Sequence, residues 1–170
     1  MLGKTHIVNS LAIASIPLVY NMKFDIDYAL FLFFITLGSI LPDIDEPNSF
    51  IGKRLQFLSY PINIFFGHRT ITHNILIFIA LSIFLYIQNY IFLFAISIGI
   101  LLHIFQDSIT YQGIKNGLFP LQRLGYNFVL LPRIFRFAVG SLTEYIIFVL
   151  SVIFLLIVAK IGLNRTLMSE

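Results

Sequence analysis

All four histidines of this 170-residue chain stand where an apolar run meets a polar connection. His6 opens the first run, His68 and His73 open the third in "GHRTITHN", and His103 closes the fourth. Carboxylates keep the same company. Asp43 and Asp45 close the second run in "GSILPDIDEPNS", Asp107 follows His103 by four residues, and Glu144 opens the last run. Neutral imidazole and carboxylate oxygen are the usual ligands of zinc and similar divalent ions, and one carboxylate can bridge two ions. His103 and Asp107, at i and i+4, share one helical face. Asp43 and Asp45 fall on one side if the backbone is extended, and Pro42 and Pro47 bracket that stretch against a continuing helix. His68 and His73 are five apart, too far round a regular helix to share a face, so one belongs in the loop and the other on the first turn. Each piece alone has a plainer reading: a structural hydrogen bond, an interfacial histidine, an Asp-x-Asp turn, a glutamate favouring a helix N-terminus. Ionisable groups at membrane depth are expensive and usually functional. Their convergence points to a metal site that includes His6, Asp43, Asp45, His68, His73, His103, Asp107 and Glu144.

The elements that must position these groups are membrane helices. The chain is 58% hydrophobic and 11% charged, with a mean hydropathy of +0.92. A soluble domain is about 45–50% apolar and about 25% charged. The expected fold is therefore all-α, a single domain over 1–170 forming an integral membrane bundle of five apolar helices at 6–20, 27–42, 71–87, 91–107 and 143–162. A full span takes about 20 apolar residues. The last run qualifies outright, the third and fourth are marginal, and the first two are short. The opening "MLGKTHIVNSLAIASIPLVY" mimics a signal peptide, but its apolar stretch before Ala12-Ile13-Ala14 is shorter than the roughly 7–15 residues required. A retained first helix is expected.

"QNY" at 88–90 is a tight connection, which makes the third and fourth runs an antiparallel hairpin. Two long connections, 43–70 and 108–142, carry Lys53, Arg54, Arg123, Arg133 and Arg136 among aromatics and read as interfacial amphipathic segments with snorkelling basic side chains. A cytoplasmic N-terminus places Lys4, Lys53, Arg54, Arg69, Lys115, Arg123, Arg133 and Arg136 inside, against Lys23, Lys160 and Arg165 outside, as the positive-inside rule favours. Alternating spans then bring every candidate ligand to the cytoplasmic face. Cysteine is absent, so disulfides and thiolate metal sites are excluded. A net charge of +3 without a block of like charges gives no support for nucleic acid as a partner.

"TH" near the start, "LPDID", "GHRTITH", and "HIFQDSIT" with a glycine shortly after resemble the YdjM-like family of LexA-regulated, inner-membrane metal-dependent hydrolases. The motifs cover about 1–120, and "GSLTEY" extends the likeness more loosely. That family is regarded as distantly similar to zinc phospholipase C and P1 nuclease. The resemblance implies phosphoester hydrolysis with one to three divalent ions, zinc first and manganese or iron as alternatives. It also implies His6, Asp43, His68, His73, His103 and Asp107 as ligands. The distant enzymes use a processed N-terminal amine as a ligand, whereas here Met1 stands five residues before His6. Asp45 or Glu46 is expected as general acid/base, or as a partner orienting a histidine. Arg69 could grip a phosphate bidentately. Thr72 and Thr110 are expected to cap helices or hydrogen-bond near the site. A site at the membrane border suits membrane lipid or another lipid-like phosphoester as substrate. Two rival readings remain: a divalent-metal transporter, which should hold its ligands nearer the midplane, and a non-catalytic protein stapled by a structural metal.

Overall fold

Proline divides the first apolar run. Helix α1, Gly3–Ala14, stops at Ser15, and Pro17 then occupies the first turn of a short α2, Ile16–Val19. Proline lacks an N–H and disfavours helical backbone before it, so the expected single helix over 6–20 becomes two. The computed structural model describes residues 1–20, 25–114, 117–118 and 130–168. Lys23, Lys115 and Arg123 lie outside them.

Asp25 caps α3, Ile26–Gly38, by accepting the Tyr28 N–H at 2.9 Å. A 3₁₀ turn, Leu41–Asp45, follows and extends the apolar run to 20 residues. Helix α4, Gln56–Phe66, fills much of the first long connection. A second 3₁₀ turn, Ile71–His73, precedes α5, Ile75–Ile87, which Asn74 caps by accepting the Leu76 and Ile77 N–H groups at 3.1 and 3.2 Å. Helix α6 runs Ile91–Ser108, and α7 runs Leu142–Met168 after a 3₁₀ turn at Arg133–Phe135. Among the described residues no strand forms. One isolated bridge, Thr110 to Phe137, ties the end of α6 to the approach of α7.

Among the described residues, three runs are long and apolar enough to cross a bilayer: Ile26–Asp45, Ile91–Ser108 and Leu142–Gly162. Helix α5, at 13 residues, reaches only about 20 Å against a hydrocarbon core of about 30 Å. The α5–α6 hairpin turns through Asn89, whose φ of 59° is a left-handed conformation that asparagine tolerates better than most residues. Helices α3 and α6 cross almost backbone to backbone. A Cβ on Gly99 would lie 2.2 Å from the Ile35 carbonyl oxygen, and one on Gly38 would lie 2.1 Å from that of Ile96. Small residues permit such approach where helices associate by packing rather than by expulsion of water. Hydrogen bonds from Ser82 to Ser97 (2.8 Å), Gln106 to Ser10 (3.0 Å) and Ser151 to Asn9 (2.7 Å) add interhelical links, each worth about 0.6 kcal/mol in a bilayer.

Burial is inverted relative to a soluble protein. Phe33, Ile83, Leu150 and Leu156 face outward, while His6, Asp45, His73, His103, Asp107 and Glu144 are buried. These polar groups come from the start of α1, the end of the α3 run, the approach to α5, the end of α6 and the start of α7. Up-and-down packing therefore gathers them at one end of the bundle.

Candidate metal centre

Helix α6 supplies the fixed half of the site. Its close crossing with α3 brings the His103 Nδ1–H within 2.7 Å of the Ser39 carbonyl oxygen. A carbonyl only accepts, so Nδ1 carries the proton and Nε2 keeps a bare lone pair. That Nε2 is buried with no hydrogen-bond partner. It lies 3.6 Å from Asp43 Oδ1 and 3.9 Å from Asp107 Oδ2, one helical turn on.

His73 is fixed by similar logic. The Thr72 hydroxyl donates to Asp45 Oδ2 and sits 3.0 Å from His73 Nδ1. Its one proton is committed to the carboxylate, so Nδ1 must donate to it, and His73 Nε2 is left bare, buried and unpartnered. His6, on the first turn of α1, stacks on His103 with ring centroids 3.7 Å apart and planes 15° apart. Its Nε2 lies 3.2 Å from Asp107 Oδ1 without hydrogen-bond alignment. Two groups result, His6–His103–Asp107 and Asp43–His73–His103, each with its ligand atoms within 4.8 Å of one another. Buried imidazole nitrogens without partners are costly unless something binds them. Two bare nitrogens with two carboxylates nearby form a donor set suited to a divalent ion such as zinc.

Asp107 is the most contested carboxylate. Its Oδ1 accepts from the Met1 amine, and its Oδ2 accepts from the Arg69 guanidinium at 2.5 Å. Arg69 also donates to the Gly113 carbonyl at 2.8 Å, while its Nε is buried without a partner. The Arg69 backbone has φ 60°, held there by its N–H on Asp45 Oδ2 at 2.9 Å.

Asp43 and Asp45 do not lie on one side. A 3₁₀ turn has about 3.0 residues per turn, so positions two apart point about 240° apart. Asp43 faces His103, and its side chain remains 17% exposed. Asp45 faces the 68–73 loop, fully buried, and accepts from His68 Nδ1 at 2.7 Å as well as from Arg69 and Thr72. Its oxygens are taken up in organising that loop, and it belongs to neither ligand group. His68, in the loop, is one-third exposed with Nε2 turned away from Asp45. Burial pushes the His68 pKa down, but the hydrogen bond and charge of Asp45 outweigh it and hold the pKa above the ordinary histidine value. Glu144 is also outside both groups. Its oxygens accept the Leu2 and Gly140 N–H groups, each at 2.7 Å, and so anchor the chain just before α1. Glu46 accepts the Asn48 N–H at 3.2 Å at the rim. Thr110 bonds back to the Asp107 carbonyl at 2.8 Å, an ordinary helix-end role.

Thr72 and Ser39 thus set the tautomers of the two central histidines. Thr72 stands beside His73 in the sequence, but nothing in the spacing marks Ser39. Thr72→Val should weaken zinc binding to metal-stripped protein by about 10–100-fold, and Thr72→Ser should restore it. Calorimetric titration measures this, and equal affinity in Thr72→Val removes the assigned role.

The model of the YdjM inner membrane protein family matches residues 1–166. YvsG of Bacillus subtilis, described as uncharacterized, is 34% identical over 123 residues, covering 71% of this chain and 74% of that protein. The inner membrane protein YdjM of Escherichia coli is 40% identical over 85 residues, 46% of this chain and 43% of that protein. The matched region thus spans less than half of the Escherichia coli relative. No solved structure matches the chain. With spanning helices in place and the family's pattern running through nearly the whole sequence, the chain belongs to the YdjM inner membrane protein family.

Proposed function

We propose that the chain is a metal-dependent hydrolase of the inner membrane that cleaves a phosphoester of a lipid-like substrate. The observation that carries this reading is the pair of tautomer-fixed, buried imidazoles, His73 and His103, with bare Nε2 atoms beside Asp43 and Asp107. When bound, a divalent ion supplies concentrated positive charge that polarises a phosphoryl oxygen and brings the pKa of water down to about 7. Arg69 donates to Asp107 Oδ2, keeps its Nε–H without a partner, and is suited to hold a phosphoryl oxygen through charge-assisted hydrogen bonds. His68 presents Nε2 at the exposed edge, backed by Asp45, and is the group placed to hand a proton to the departing alkoxide. Asp45 acts through it as a positioning carboxylate. The cytoplasmic side is the proposed face, on the balance of basic residues.

The test uses purified protein in detergent, loaded with zinc or manganese, against a panel of lipid phosphoesters. Metal-dependent turnover should appear in the wild type and fall about 100-fold or more in His73→Ala. Uptake of zinc into protein-bearing liposomes without turnover would make the chain a transporter. Unfolding on chelation, with no substrate turned over, would make the metal a staple.

A further inference from the structure

Helix α4 is built inside out. Its inward stripe is polar: Ser59 is buried, and the Asn63 amide donates to the Asp45 carbonyl oxygen at 2.7 Å. Its outward face carries Phe57, Ile64 and Phe65, exposed to 72, 76 and 79%, with Leu58, Tyr60 and Phe66 beside them. Contiguous apolar surface of this kind on one helix marks a surface that something apolar covers. The expected interfacial segment would show water a charged face. This one keeps its polar stripe against the protein and offers all its large apolar side chains but the half-buried Ile62 outward.

Three observations name the cover. First, both ends of the segment are pinned at one place, because Asp45 at its start hydrogen-bonds His68 just beyond its end at 2.7 Å. Second, α4 has 11 residues, a length of about 16 Å, too short to cross a hydrocarbon core of about 30 Å. The chain therefore leaves and re-enters on the same side of the membrane. Third, the segment continues directly from the 20-residue apolar run Ile26–Asp45, and exposed Lys53 and Arg54 stand just before it. Cationic side chains at that position suit anionic headgroups.

We infer that α4 is immersed among the acyl chains of the leaflet on the metal site's side, with Lys53 and Arg54 at headgroup level. The partner of this surface is the bilayer, not a second protein. The inference is independent of the hydrolase reading. It has a geometric corollary, since α4 runs straight into Gly67–Arg69, so lipid lies against the loop that carries His68.

The chain has no cysteine, which allows single nitroxide labels at Phe57→Cys, Ile64→Cys, Phe65→Cys and Lys53→Cys in phosphatidylethanolamine/phosphatidylglycerol liposomes. Collisions with oxygen should exceed those with a water-soluble nickel chelate several-fold at the first three positions and reverse at the fourth. Nickel-dominated collisions at 57, 64 and 65 would overturn the inference. So would protection from both reagents, the mark of a protein cover. On unmodified protein, a carbene probe carried on a lipid acyl chain should label residues 57–66. No label there would overturn it as well.

Discussion

Asp107→Asn protein is expected to retain about a tenth or less of the wild-type metal and to lose about 100-fold or more of any turnover. Asp107 is the carboxylate that approaches three of the histidines: Oδ1 lies 3.2 Å from His6 Nε2, and Oδ2 lies 3.9 Å from both His73 Nε2 and His103 Nε2. Asparagine preserves the volume but replaces an anionic acceptor with a neutral amide. One amide orientation turns an NH₂ toward Arg69 and the central histidines, and the other turns it toward His6 and the Met1 amine. Either choice sets donor against donor or forfeits a ligand. Elemental analysis of the purified variant gives the first readout, and circular dichroism checks that the helices persist. A folded variant with full metal content would remove Asp107 from the site.

Gly99→Val should be the most damaging single change to the scaffold. The first carbon of the new side chain would sit 2.2 Å from the Ile35 carbonyl oxygen and 2.9 Å from Gly38 Cα, both backbone atoms that no rotamer change can move aside. Helices α3 and α6 must separate, at a cost of about 3 kcal/mol by comparison with overpacked cores. The separation also carries Ser39 away from His103 Nδ1. Metal affinity should therefore fall together with thermal stability in detergent. A variant that melts and binds zinc like the wild type would overturn the close crossing of α3 and α6.

Much of this architecture was legible in the order of residues. Apolar runs at 27–42, 91–107 and 143–162 became the three helices long enough to span. The rule that successive spans alternate direction puts His6, Asp43, His73, His103, Asp107 and Glu144 at one end of the bundle, where the structure has them buried or half-buried. What spacing could not supply was the direction each side chain takes from its backbone. The stretch "LPDID" is compatible with an extended or a 3₁₀ backbone, and only the second turns Asp43 toward His103 and Asp45 toward His68. Glu144 had the composition of a ligand, but its oxygens answer two backbone N–H groups whose positions depend on α1 and α7 meeting. The polar inward stripe of α4 was likewise hidden. Its Asn63 contact spans 18 residues and depends on where the segment returns.

The Glu144 anchor has a consequence for biosynthesis. The peptide just before His6 is fastened by the first turn of the last helix, and Ser151 reaches Asn9 about two turns further down that helix pair. A nascent chain still missing α7 has no partner for either contact, so α1 then rests on α3 and α6 alone, through contacts such as the His6–His103 stack and the Gln106–Ser10 hydrogen bond. Only the inserted α7 then fixes the approach to His6 at its place beside His103 and Asp107.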